Sequence, residues 1–274
     1  MPISQGRLGK VSIGGVLYPV YDWQMSAPRN LQQGQPVGNT WATTKAEGLQ
    51  STRFTARIMC REATTEMQAL AFWNLFLSRT WGSGFDDTAA SSIIAQSGAN
   101  SYTLANAKAE SFQLVIQKGA VVGLSVAFLA PGLATKAATT AAVSYTTLID
   151  NSPLLMFDKV TFGGFSGSVY SATVNYSNNH LPNAPLDGTK TVAAWEAGPI
   201  TCSASFTVAE WSAASIPIAD DSTLTIALNA LRTITLKSVS PENPRDIGVN
   251  PGQVFQPLSC IVQGTSTVAP LVVT

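Results

Sequence analysis

The chain has 274 residues, with 16 Lys or Arg, 16 Asp or Glu and one His, so its formal charge is zero. Only 12% of residues are charged against 45% hydrophobic. That balance excludes a disordered chain and a strongly basic binder that neutralises phosphates with surplus Lys and Arg. A core this well supplied beneath so few charges points to surfaces buried against partners. His180 alone makes no two-His zinc site. Cys60, Cys202 and Cys260 are too far apart for a Cys-x-x-Cys motif and read as reduced, buried thiols. The start, Met1 to Arg7, lacks the apolar run of a signal peptide. The stretch 120–134, broken by Gly123, Pro131 and Gly132, is too short for a membrane helix. The expectation is folding in a cytoplasm, with no membrane.

Along the chain, Val11-Ser12-Ile13-Gly14-Gly15 predicts a strand and a tight turn, the glycines supplying the positive φ of a hairpin. Met25 to Glu47 is a long Gln/Gly/Pro-rich loop around Trp41. Phe54, Ala56, Ile58 and Cys60 then alternate with Arg53, Thr55, Arg57, Met59 and Arg61, the period of a half-buried strand. Thr65 to Ser78 predicts a helix with Thr65 as N-cap and Gln68 completing a capping box. Its apolar residues cover nearly every side, which calls for burial on more than one face. Phe112, Leu114 and Ile116 form a strand, Lys118-Gly119-Ala120 a turn, and Val122 to Phe128 the return strand.

The second half repeats the first. Val160-Thr161-Phe162-Gly163-Gly164 echoes Val11 to Gly15, and Val169-Tyr170 echoes Val20-Tyr21 at the same offset. A long loop with a tryptophan follows, Asn178 to Glu196 around Trp195. Next come Cys202, Ala204, Phe206 and Val208 in alternation, then Leu258-Ser259-Cys260 against Leu124-Ser125-Val126. Residues 221–231 fit helix or strand and read as strand on β-propensity. The expected organisation is a first β domain over 1–132, a linker over 133–155 and a second β domain over 156–274. Residues 1–136 hold eleven basic and seven acidic side chains, residues 137–274 five and nine. Opposite halves of neighbouring chains would attract.

No set of catalytic residues emerges. His180 lies in a turn-like Asn-Asn-His-Leu-Pro stretch and reads as a solvated loop residue. Gly163 to Ser168 misses the Gly-x-Ser-x-Gly spacing, and no phosphate-binding glycine motif is present. The acidic pairs Asp86-Asp87 and Asp220-Asp221 read as turn or capping groups. The reading is of a non-enzyme with no cofactor and no metal. Arg53, Arg57 and Arg61 share one strand face and are candidates for a subunit contact, Arg being favoured at interfaces.

The order of Gly-Gly hairpin, long loop, Ser/Thr-rich alternating strand Gly198 to Val208, helix and closing strands resembles the tail tube proteins of long-tailed bacteriophages. Val169 to Asn179 resembles their early strand and the start of their long loop. The stretch Trp81 to Asn106 in the first copy departs from that pattern, and so does the second copy, where the helix is ambiguous. The resemblance implies a mainly β fold of two tandem β-sandwich or barrel domains, each flanked by a short helix. It implies a structural virion protein, made in the bacterial host cytoplasm, that forms homo-oligomeric rings. A duplicated chain would close as a trimer with pseudo-sixfold symmetry. Rings would stack through the long loops into a hollow tube that joins other tail proteins and passes DNA without reading its sequence. Thr201, Ser203, Ser205 and Thr207 are then the candidate lumen wall. A tail-tip, baseplate hub or terminator protein of the same fold is an alternative, and so is an all-β carbohydrate-binding or adhesin module.

Overall fold

A computed structural model describes residues 10–27, 31–34, 44–47, 50–61, 70–78, 89–97, 100–138, 153–165, 167–183, 192–209, 218–228, 232–242, 248–250, 253–264 and 269–274. The fold is mainly β. In the first half the strands are β1 (Lys10–Ile13), β2 (Val16–Tyr18), β3 (Val20–Ser26), β4 (Leu31–Gly34), β5 (Thr44–Glu47), β6 (Ser51–Met59), β7 (Ser91–Ser97), β8 (Asn100–Gln117), β9 (Gly123–Pro131) and β10 (Thr135–Ala138). The second half holds β11 (Thr161–Gly163), β12 (Val169–Ser177), β13 (Leu181–Asn183), β14 (Ala194–Glu196), β15 (Thr201–Ala209), β16 (Ser222–Ala227), β17 (Thr233–Pro241), β18 (Gly248–Asn250), β19 (Gln253–Val262) and β20 (Leu271–Val273). One α-helix is described, α1 (Leu70–Leu77).

The two halves run one strand order. Hydrogen bonding links β3-β6-β9-β8-β7-β1 in the first half and β12-β15-β19-β17-β16-β11 in the second. Late in each half a short strand adds to the same place: β10 beside the start of β8, and β20 beside the start of β17. Each long loop folds back as a small two-stranded sheet, β4-β5 and β13-β14. Even a register break recurs, between Val20 and Asp22 in β3 and between Val169 and Ser171 in β12. The stretch 81–106 contains β7 and the start of β8, which occupy the places of β16 and the start of β17. All these pairings are antiparallel, so one face can be buried while the other stays polar.

The sheet places correct one sequence match. Leu124 pairs with Ile58 and Leu258 with Phe206, as the aligned echoes require. On the neighbouring strand, Gln24 pairs with Thr55 while Asn175 pairs with Ser203. Gln24 and Asn175 therefore occupy the same place, two residues out of step with the Val-Tyr match. A two-residue slip keeps every side chain on its own face, so the hydrophobic pattern does not resist it.

The halves are joined edge to edge. Strand β12 pairs with the far end of β8, from Ser171 opposite Gln117 to Ser177 opposite Ser111. This seam merges both halves into one sheet of 16 strands. The inward faces form one hydrophobic cluster that includes Phe54, Ile58, Phe112, Leu114, Phe128, Val174, Tyr176, Phe206, Leu236 and Leu258.

The helix lies beneath the seam. Phe112 of β8 stacks on Tyr176 of β12 at 5.3 Å between ring centroids. Trp73 and Phe76 of α1 meet Phe112 edge-on, each at 5.4 Å. Phe72, Trp73 and Phe76 are buried, whereas Leu70 and Ala71 are exposed. The helix buries one face within its own chain rather than being covered all round. Its expected N-cap, Thr65, and Gln68 lie outside the described residues. Residues 222–227 are strand, in line with their β-propensity.

Other expectations are corrected. Within the expected linker 133–155, β10 is part of the first-half sheet, and Leu154 bridges Arg61. Leu155 N–H also donates to Cys60 O. Residues 139–152 lie outside the described residues. Gly14 and Gly15, at φ 58° and 82°, turn β1 into β2. Among the described residues Gly163 and Gly164 make no equivalent hairpin: β11 pairs with β16, as β1 does with β7, but no second strand pairs with β11 as β2 does with β1. A side chain at Gly163 would meet Thr225 Oγ1 at 2.5 Å, and one at Gly164 would meet Thr223 O at 2.6 Å. Those glycines serve close packing against β16.

Candidate assembly surface

The inward half of each alternating strand is spent on the core, which leaves the outward half to define a surface. Register places these outward residues in rows across the sheet. One row runs Asp22, Arg57, Ser125, Gln113, Asn175, Ser203, Ile261. The next runs Gln24, Thr55, Ala127, Ser111, Ser177, Thr201 along the same pairings. The surface is largely hydroxyl and amide, and it crosses the seam without interruption. Side chains lock to each other along it. Gln113 Nε2 donates to Asn175 Oδ1 at 2.9 Å, across the seam. Ser171 Oγ donates to Thr207 Oγ1 at 2.9 Å, and Asn179 Nδ2 donates to Thr201 Oγ1 at 3.0 Å. At the centre is an open groove of about 330 Å³, lined by Arg53, Thr55, Gln113, Asn175, Thr201 and Ser203 among others.

Thr201, Ser203 and Ser205 are exposed on this face and Thr207 is half-buried. Arg53 and Arg57 are exposed on the same face. Arg57 is held by Asp22, its Nε donating to Asp22 Oδ2 at 2.7 Å. Arg61 is not on this surface. Strand β6 ends at Met59, the alternation stops, and Arg61 is 7% exposed beside Leu154.

A polar cluster at the seam escaped the sequence reading. His180 is buried, not solvated, and its Nδ1 lies 2.8 Å from Glu110 Oε2. Its backbone N–H donates to the same oxygen at 3.1 Å. Asn178 is fully buried. Its Nδ2 donates to Phe76 O at 3.1 Å and Ala109 O at 2.8 Å, and Tyr176 Oη donates to its Oδ1 at 3.3 Å. Phe76 O is one of the terminal carbonyls that a helix leaves without an internal partner. Asn178 therefore ties β12, the irregular end of the β8–β9 pairing and the end of α1 into one joint. The only sequence signal was two consecutive asparagines after a strand, which reads equally as a turn.

The three thiols are free and buried. Burial pushes Cys202 and Cys260 up to about 12, and Cys60 further. Such thiols are poor nucleophiles, because the thiolate is the reactive form. Among the described residues no group of three or more His, Cys, Asp or Glu is placed to hold a metal, and no helix is long and apolar enough to cross a membrane. No protein-family model matches the chain, and no curated protein matches it in sequence.

Proposed function

We propose that this chain is a structural subunit that closes head to tail into a ring, and that the rings stack into the hollow tail tube of a long-tailed bacteriophage. The observation that carries this reading is the repeated strand order joined through one seam. Two like units already pair edge to edge in the chain, while among the described residues β3 at one end and the β17 end at the other are left as open edges. Open edges are a liability in a monomer, and a closed ring removes them. A head-to-tail contact closes when its rotation divides a full turn. Two units per chain make a trimer the natural pseudo-sixfold closure.

The polar sheet face suits a conduit wall. Hydroxyl and amide groups hydrate DNA without holding its phosphates, and Arg57 is neutralised by Asp22. Thr201, Ser203, Ser205 and Thr207 belong to that wall, and Arg53 and Arg57 to its end nearest the neighbouring chain. The small sheets β4-β5 and β13-β14 are separate from the main sheet, and contacts between rings would form through them.

Negative-stain electron microscopy of the purified protein tests the proposal. Long hollow tubes are the expected result. Single rings that never lengthen would favour a tail-tip or hub protein of the same fold. Monomers at every concentration would overturn the ring and leave the binding-module reading.

A further inference from the structure

We infer that the seam between chains copies the seam within the chain, and that this fixes its register: Gln24 of one copy opposite Glu242 of the next, Met25 opposite Pro241, and Ser26 opposite Ser240. The inference rests on the proposed ring and adds to it the residues that meet.

The template is β8 against β12. Its place-holders in an open chain follow from the sheet. Gln113 pairs with Ser125, which pairs with Arg57. In the second half Ser259 pairs with Ser205, and Glu242 N–H donates to Ser259 O at 2.8 Å. Glu242 thus holds the place of Gln113. On the receiving strand Asn175 pairs with Ser203 and Gln24 with Thr55, so Gln24 holds the place of Asn175. Gln113 lies opposite Asn175, and Glu242 is therefore assigned to Gln24.

Three further observations agree. First, both edges are open where the template needs them. Strand β3 pairs with β6 alone among the described strands, and β16 pairs with β17 no further than Val239. Second, the hydrogen-bond phase matches. Lys118 N–H donates to Tyr170 O and Asn178 N–H to Glu110 O, both at 2.8 Å. Hydrogen-bonded pairs thus fall on alternate residues, and Gln113–Asn175 is a non-hydrogen-bonded pair with its backbone groups turned away. Glu242 likewise turns its N–H to β19, away from the open edge. Third, the charges are complementary. Glu242, Asp220 and Asp221 are exposed at the β17 end, where Asp221 N–H donates to Ser240 Oγ at 3.2 Å. Arg53 is exposed one strand in from the β3 edge, while Arg57 beside it is already paired with Asp22. The internal seam joins amides; the external one would join charges.

Pro241 sharpens the picture. Neighbouring residues of a strand direct their backbone groups to opposite sides, so Pro241 faces the open edge with a carbonyl and no N–H. It blunts the edge against unspecific pairing while leaving one acceptor for Met25.

The test is cross-linking of the full chain carrying Gln24→Cys with Glu242→Cys. Both positions are exposed, and a non-hydrogen-bonded pair brings Cα atoms to about 4.5 Å, within the span of a disulfide. The native thiols are buried and contribute little background. The expected result is a ladder of linked dimers and trimers on non-reducing gels, absent from each single variant. Ser26→Cys with Glu242→Cys should give about tenfold less linked product, because diagonal neighbours lie beyond good disulfide geometry. Rings without linkage, or linkage favouring Ser26→Cys, would overturn this register and leave the ring intact. A wild-type chain that stays monomeric would overturn both.

Discussion

Strands β8 and β12 meet inside the chain, whereas their counterparts β17 and β3 sit in the same places in their halves and, among the described residues, meet no strand there. The inner faces of the two regions follow one pattern of alternating apolar residues. What differs is the finish. The internal seam has stacked rings of Phe112 and Tyr176, a helix beneath it and a buried Asn178–Glu110–His180 joint. The open edges carry charge and a proline instead. An edge that must survive alone in water needs charged groups and a missing donor; an edge already covered is free to use aromatic packing and neutral hydrogen bonds.

Breaking the covered seam should give the largest effect. Phe112→Ala removes a buried ring from between α1 and β12 and should cost about 3–5 kcal/mol, read by chemical denaturation. Trp23→Ala, on the open strand and only half-buried, should cost clearly less. If the two cost the same, the helix and ring stack do not reinforce the seam.

Asn178→Ala comes next. It leaves the carbonyls of Phe76 and Ala109 without their donor in a buried place and should cost about 1–3 kcal/mol. Asn179→Ala, nearer the surface, serves as its comparison. Hydrogen exchange should show β12 opening ahead of β15 in the Asn178 variant.

A pH series probes the second half. The folded thiols Cys202 and Cys260 sit near 12 against an ordinary value of 9.0. A raised folded value means stability complete below the unfolded value and lost as pH climbs above it, because the unfolded chain releases protons first. The melting temperature should be insensitive to these thiols below pH 9 and fall between 9 and 12. Cys202→Ala with Cys260→Ala should flatten that fall.

The smallest effect on the fold should come from Arg53→Glu, an exposed position whose substitution should leave the melting temperature nearly unchanged. Its effect should appear in assembly alone, as weaker ring formation by light scattering. Salt should weaken wild-type assembly in the same way, while the internal seam, which among the described residues holds no ion pair on its polar face, should be indifferent to it.

Much of the inner architecture was legible in the residues. Alternation at 54–60, 112–116 and 202–208 located strands and their buried faces, and Lys118-Gly119-Ala120 located a turn. The candidate wall Thr201 to Thr207 was legible for the same reason, since a period of two assigns both faces at once. Arg61 was misplaced because the alternation was carried past the end of β6. His180 was misread because a histidine three residues beyond a strand gives no local sign of Glu110, seventy residues earlier. The two-residue slip of β3 against β12 was invisible because it leaves each face unchanged.

By itself the sequence determined which residues of each strand are apolar, where the chain turns and that one pattern occurs twice, since all of these depend on neighbours a few residues apart. Only the tertiary structure decided that β12 docks on β8, that Asn178 and His180 are buried at that joint, and which edges remain open. Those outcomes depend on hydrogen bonds and packing between residues distant in the chain, whose pairing no local periodicity encodes.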